Sequence, residues 1–337
     1  MTENEIASLK SLLDSPKSIV IIPHINPDGD AIGSTLGLWH FLNLKNHNAT
    51  VIAPNDFPDF LKWMPGQDQI LIHQRNIEKA NDLIENGELI FTLDFNSLKR
   101  IGDMGEVVES ANGIKVLIDH HQQPEDYAKY QYSNVNMSST CEMVYNFIDF
   151  LGETNFINAD IATCLYTGIM TDTGSFRFRS TTNKTHNIIS KLIENGADNT
   201  EIHNKVYDTR SVNRLKLLGV AINNLVYLKD LNTAYITLSQ DELDQNNFKK
   251  GDTEGFVNYG LSIKGVKLAV IFIEKREENI TKISFRSKGK FSVNEFSGKH
   301  FNGGGHTNAA GGKSDLSLQE TVEKFISILQ KYSTDLS

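Results

Sequence analysis

Short apolar runs alternate with helical periodicity along the first half of the chain. Ser18–Ile22, Thr50–Ala53, Glu88–Leu93 and Ile114–Ile118 are brief, rich in β-branched residues and bounded by polar or turn residues, the pattern of buried parallel strands. Helical spacing at about 31–46, 76–86 and 97–110 lies between them, a βαβ rhythm that predicts a parallel sheet flanked by helices. Ser139 and Glu142 have capping-box spacing ahead of an apolar-periodic stretch to Leu151, so a helix should begin there. A second helix is expected over 158–170, and 183–226 reads as helical with a break at Asn195-Gly196.

The texture changes near residue 230. Ala234–Leu238, Val266–Phe272 and Thr281–Phe285 read as strands, followed by a glycine cluster at 303–312 and a final helix at about 317–332. The fold class is therefore α/β. A first domain over 1–185 is joined by a helical connector, 186–228, to a smaller mixed α/β domain over 229–337.

Composition narrows the field of functions. The chain has 337 residues, 39% hydrophobic and 22% charged, enough for two ordinary domains. The start is acidic, and Ile6, Leu9, Leu12 and Leu13 fall at helical spacing rather than forming a signal-peptide core. With no apolar run near the roughly 18 residues a membrane span needs, a cytoplasmic protein without a membrane partner is expected. Cys141 and Cys164 are read as buried free thiols. The net charge of −9 argues against a grip on long duplexes, which requires many neutralised phosphates; a short nucleic-acid fragment in a local pocket fits better.

The acids and histidines fall at element ends. The first run leads into His24-Ile25-Asn26-Pro27-Asp28-Gly29-Asp30, the third ends at Asp94, and the fourth at Asp119-His120-His121; Thr171-Asp172-Thr173-Gly174 closes a helical stretch. In an open parallel sheet the carboxyl ends of the strands form the ligand edge. Each motif alone has an ordinary reading: Asp-Gly as a turn, Asp94 as a helix cap, the histidines as a polar loop, Asp172 as a helix end. Together they converge several carboxylates that cannot all ionise without compensation. Divalent cations supply it and use the histidines too; mixed oxygen and imidazole donors suit manganese, and so many donors suit two ions.

This series of motifs resembles the DHH phosphoesterase superfamily. Ser284-Phe285-Arg286-Ser287 and Gly303-Gly304-Gly305-His306-x-x-Ala309-Ala310-Gly311 resemble its DHH-associated C-terminal domain. The resemblance implies that His24 and Asp28 hold one metal and Asp30, His120 and Asp172 the second, with Asp94 bridging. It implies a supporting role for Asp119, which would orient His120 or a neighbouring ligand. His121 would face the substrate phosphate, Asn26 is a further candidate for ligand contact, and Arg286, Gly304, Gly305 and His306 would bind substrate. The implied chemistry is hydrolysis of phosphoester bonds with two divalent ions, Mn2+ foremost, and catalytic roles for Asp94, Asp119 and His121.

The glycine cluster has a residue-level reading of its own. A short helix starting at His306–Ala310 would aim backbone N–H groups at an anion. Arg177 and Arg179, just past Asp172, divide between a substrate cleft and a surface strand. The two-domain length resembles the bacterial oligoribonuclease and 3′-phosphoadenosine 5′-phosphate (pAp) phosphatase type, with short RNA, pAp and linear dinucleotides such as pApA as substrates. The alternatives are a RecJ-like single-stranded DNA exonuclease and a nucleotide-binding sensor without turnover. The oligomeric state stays open, a homodimer included.

Overall fold

The β-branched runs become the centre of a six-stranded sheet. A computed structural model describes residues 1–336. After helix α1 (Glu3–Leu12), strands β1 (Ser18–Pro23), β2 (Asn48–Ala53), β3 (Leu71–Ile72), β4 (Leu89–Leu93), β5 (Ile114–Asp119) and β6 (Tyr130–Ser133) pair all-parallel. Their order is β3-β2-β1-β4-β5-β6. The order reverses between β1 and β4, which opens a crevice at their carboxyl ends.

Helices α2 (Gly29–Leu44), α3 (Ile77–Glu85), α4 (Met104–Ser110), α5 (Thr140–Phe150) and α6 (Ala159–Asp172) cover the sheet. Strand alternation divides the core. Ile19, Ile21, Phe91 and Val116 pack with Leu36, Phe147 and Leu165. Val20, Ile22 and Ile90 pack on the other face with Ala80, Ile84 and Val108. Residues i and i+2 of a strand share a face, so successive residues feed opposite cores.

Three local features differ from or extend the expectations. The stretch at 97–110 is not one helix: a 3-10 turn at Leu98–Ile101 stops at Gly102, whose φ of 60° leaves the helical region, before α4 begins. Strands β3 and β6 carry too few residues for periodicity to reveal them. The 183–226 stretch breaks at Asn195-Gly196 as expected and again after Tyr207, dividing into α7 (Asn183–Glu194), α8 (Asn199–Tyr207) and α9 (Val212–Asn223).

The chain separates into units Met1–Thr209 and Arg210–Ser337. Helices α7 and α8 bury Ile188, Leu192, Ile202 and Val206 in the first unit's core, whereas α9 buries Leu217 and Ala221 in the second unit's.

The second unit follows α9 with β7 (Val226–Leu228), β8 (Thr233–Leu238), α10 (Gln240–Gln245), α11 (Val257–Ser262), β9 (Leu268–Lys275), β10 (Ile280–Ser287), α12 (Val293–His300), β11 (Gly304–His306), β12 (Ala309–Ser314), α13 (Leu318–Leu329) and α14 (Ser333–Leu336). Its sheet runs β11-β12-β10-β9-β8-β7, antiparallel except for β8–β9.

The expected helix at His306–Ala310 is a hairpin instead. Gly304, Gly305 and His306 pair with Gly311, Ala310 and Ala309. Gly305 sits at φ 150°, and a Cβ on Gly303 would collide with Gly311 O and Ser297 Oγ. The glycines thus serve close strand approach rather than a helix start.

Candidate metal centre

The crevice at the strand ends gathers the acids and histidines of the first unit. His24 follows β1, Asp94 follows β4, and Asp119 ends β5, with His120 and His121 after it. Asp28 is the N-cap of α2, its Oδ1 accepting from Asp30 N at 3.0 Å and Ala31 N at 3.1 Å. Asp172 is the last residue of α6. Asp94 adopts φ 65°, a left-handed conformation that a non-glycine residue rarely holds and that costs about 1 kcal/mol or more.

Two groups of the six proposed ligands meet at Asp94, and Asp119 and His121 form a further group with it. Asp94 Oδ2 lies 3.5 Å from His24 Nε2, which is 4.0 Å from Asp28 Oδ1. Its Oδ1 lies 3.5 Å from His120 Nε2, and that nitrogen is 3.8 Å from Asp30 Oδ2 and 3.6 Å from Asp172 Oδ2. Donor atoms of His24, Asp28 and Asp94 lie within 4.8 Å of one another, as do those of Asp30, His120 and Asp172. His24, Asp30, Asp94, Asp119 and His120 are buried.

Electrostatics shows what such a cluster requires. Burial opposes ionisation of Asp94, yet His120, His24 and His121 hold its carboxyl well below the usual carboxylate range. Burial likewise opposes the charged form of both histidines. Asp94 and Asp28 nevertheless raise His24, and Asp94, Asp172 and Asp30 raise His120 well above the usual imidazole value. Desolvation, then Asp94 and Asp172, push Asp30 well up. Asp172 rises to about 6, through desolvation first, with His120 opposing and Asp28 and Asp94 adding. In the polypeptide alone, protons must supply the balancing charge that a cation could supply instead.

The residues fit divalent ions. His24 Nδ1 lies 2.8 Å from Ile25 O and donates to it, which puts the lone pair on Nε2, the atom facing the carboxylates. His120 Nδ1 is 3.4 Å from Met137 O, with Nε2 again toward the acids. Ligand atoms facing one another at 3.5–4.0 Å are near the spacing of neighbouring ligands. Two atoms about 2.1 Å from one ion at about 90–110° are about 3.0–3.4 Å apart.

Several side chains serve in ways the motifs did not specify. Asp119 Oδ1 accepts from His121 Nδ1 at 2.7 Å, so it orients His121. Asp119 Oδ2 is buried without a hydrogen-bond partner. Asn26, also left-handed at φ 55°, is tied to Asn55: its N–H donates to Asn55 Oδ1 at 2.7 Å, and Asn55 Nδ2 returns a bond of 3.1 Å. Asn55 was invisible to motif reading, being a lone polar residue after β2.

Ser139 caps α5 through Glu142 N at 3.0 Å, but the Glu142 carboxylate binds Ser138 and Thr185 instead of completing the capping box. Arg177 and Arg179 lie in a turn after α6, not in a strand. That turn holds three successive left-handed residues, Gly174, Ser175 and Phe176.

In the second unit Arg286, Ala309 and His306 form one cross-strand row, because Ala309 pairs with Arg286 on one side and His306 on the other. Directly paired residues share a sheet face, here the face opposite buried Phe285. Gly305 N donates to Asn294 Oδ1 at 2.8 Å, so this N–H is engaged within the protein.

A parallel α/β unit with a carboxylate–imidazole centre at its switch point, followed by a mixed-sheet unit, defines a metal-dependent hydrolase. The model of the DHH family N-terminal domain matches residues 18–169, and that of the DHHA1 domain residues 230–334; the chain belongs to the DHH family of phosphoesterases. A crystal structure of an exopolyphosphatase-related protein from Bacteroides fragilis is 44% identical, with a TM-score of 0.96 over 99% of this chain and 98% of that one. The bifunctional oligoribonuclease and PAP phosphatase NrnA of Thermus thermophilus is 29% identical over 98% of this chain and 94% of its own length. RecJ from the same organism, in a crystal structure with Mn2+, shares the fold at 12% identity and a TM-score of 0.56, covering 99% of this chain and 54% of RecJ. No helix of the described residues is long and apolar enough to cross a membrane.

Proposed function

We propose that the protein hydrolyses phosphoester bonds of short RNA oligonucleotides and of pAp, using two divalent ions, Mn2+ foremost. The observation that carries this reading is the division of Asp94 between two sides of the site, its Oδ2 toward His24 and its Oδ1 toward His120 and, at 3.7 Å, His121. His24, Asp28 and Asp94 would hold one ion, and Asp30, His120, Asp172 and Asp94 the other. When bound, such ions acidify water and offset the negative charge that develops on phosphoryl oxygens.

The chain's own groups supply the rest. The Ile25 and Met137 carbonyls fix the tautomers of His24 and His120. His121, oriented by Asp119, meets the substrate phosphate through its other ring nitrogen. The buried surroundings of Asp94 and Asp119 limit water and strengthen these interactions.

Arg286 and His306 would bind substrate in the second unit. A guanidinium binds phosphate through two parallel hydrogen bonds, and the small Ala309 between the two side chains leaves room in the row. The glycines at 304 and 305 permit close backbone approach. The net charge of −9 and the high coverage of the bifunctional relative favour short substrates over long strands.

The test is hydrolysis of pApA, a short RNA ladder, pAp and a long single-stranded DNA by the purified protein with Mn2+. Mononucleotide from the shortest RNAs and phosphate from pAp are expected, both abolished by a chelator. Turnover confined to the long DNA, or none at all, contradicts the reading.

A further inference from the structure

The first residue of α5 touches both carboxylates on which the two ion groups depend. Thr140 Oγ1 donates to Asp94 Oδ1 at 2.9 Å, and Thr140 N donates to Asp30 Oδ2 at 2.6 Å. Cys141 N adds a bond of 2.9 Å to Asp30 Oδ1. Asp30 therefore receives one backbone donor on each oxygen, from the first turn of a helix whose N-terminal partial charge favours a carboxylate. Asp94 comes from the end of β4, Asp30 from α2 and Thr140 from α5, and Thr140 joins all three. It is itself fully buried.

We propose that Thr140 is a positioning residue for the metal centre: its hydroxyl and N–H lock Asp94 and Asp30 in the mutual arrangement that two divalent ions require. This rests on the two-metal reading above. The hydroxyl does something no other contact does. It occupies one lone pair of Asp94 Oδ1, the oxygen that otherwise faces His120 and His121, and so restrains the carboxylate's rotation. A carboxylate shared between ions loses its bridging orientation if it can turn freely.

Thr140 is in turn held from behind. Glu142, buried in the first turn of α5, accepts from Ser138 N at 3.3 Å, from the Ser138 hydroxyl and from Thr185 Oγ1 at 3.0 Å. Thr185 lies in the first turn of α7. The Ser138 bonds also steady the segment that carries Met137, whose carbonyl faces His120 Nδ1. One buried network thus sets the N-terminus of α5, the rotation of Asp94 and the ring of His120.

The experiment is calorimetric titration of Mn2+ alone into metal-free wild type, Thr140→Val, Thr140→Ala and Thr140→Ser, with melting temperatures measured beside it. Valine keeps the shape and the N–H to Asp30 but removes the hydroxyl; alanine does so without placing a methyl against Asp94. The folded one of these should bind Mn2+ about 10–100-fold more weakly than wild type, and serine should restore binding to near wild type. Wild-type affinity and stoichiometry in a folded valine or alanine variant overturns the role of Thr140 while leaving the metal reading intact. Failure of both variants to fold, with serine equally impaired, also overturns it, because Thr140 would then be structural. No Mn2+ binding by wild type overturns the metal reading itself.

Discussion

Asp119 Oδ1 and His121 Nδ1 lie 2.7 Å apart, so the fully buried carboxylate at the end of β5 fixes the ring of the second of two adjacent histidines. Asp119→Asn preserves shape and an acceptor for Nδ1 but removes the carboxylate charge beside the ring. Turnover should fall about 10–100-fold while the Mn2+ dissociation constant stays within about threefold. Kinetics of pApA cleavage and metal titration check both arms. A collapse of metal binding would make Asp119 a ligand rather than an orienting group.

Acid should compete with metal. In the metal-free protein Asp172 and Asp30 are raised above their ordinary value of 3.8. The folded state therefore holds more protons than the unfolded one, and the stability contribution of Asp172 declines as pH rises from about 4 to about 6. His24 and His120 are also raised; their contribution is present below the unfolded imidazole value of 6.5 and is lost as pH rises through their folded values. Asp94, depressed, works oppositely, and its contribution is lost only as pH falls below the ordinary carboxylate range. Mn2+ takes the place of these protons, so the melting-temperature gain on adding Mn2+ should grow between about pH 5 and about pH 8. A gain independent of pH would contradict this charge balance.

Helices α2 and α6 meet beside the site at a glycine. A Cβ on Gly168 would collide with Cys141 Sγ and lie 3.0 Å from Asp30 Oδ1. Gly168→Ala should destabilise the protein by about 1–3 kcal/mol and weaken Mn2+ binding through Asp30. Adding Cys141→Ala removes the colliding sulfur and should recover much of the stability, measured by denaturant unfolding. Independent, additive effects of the two substitutions would show that the contact is not the cause.

Arg286 makes a separable prediction. If it grips a phosphate away from the reacting one, Arg286→Ala raises KM for pApA by about tenfold or more with a smaller change in kcat. A loss confined to kcat would place the guanidinium at the reacting phosphate instead.

The sequence made the strand-end chemistry legible because its signal is local. β-branched runs terminate in Asp or His, and a parallel sheet sends every such terminus to one edge. His24, Asp94 and Asp119-His120 could be placed that way, and Asp28 and Asp30 followed from lying just past the first run. Thr140 was not legible, since it meets Asp94 across 46 residues of chain and threonine has no residue-type signature for such a task. The 303–312 glycines misled for a related reason. Glycine permits both a helix-start turn and the close approach of β11 to β12, and only the packing of Gly303 against Ser297 and Gly311 decides between them. Glu142 matched a capping box by spacing, yet tertiary partners Ser138 and Thr185 claimed its carboxylate.

Anomalous diffraction from crystals soaked in Mn2+ should show two manganese peaks joined through Asp94, one bound by His24, Asp28 and Asp94 and the other by Asp30, His120, Asp172 and Asp94. A single peak, or manganese bound without Asp94, would contradict the two-metal reading.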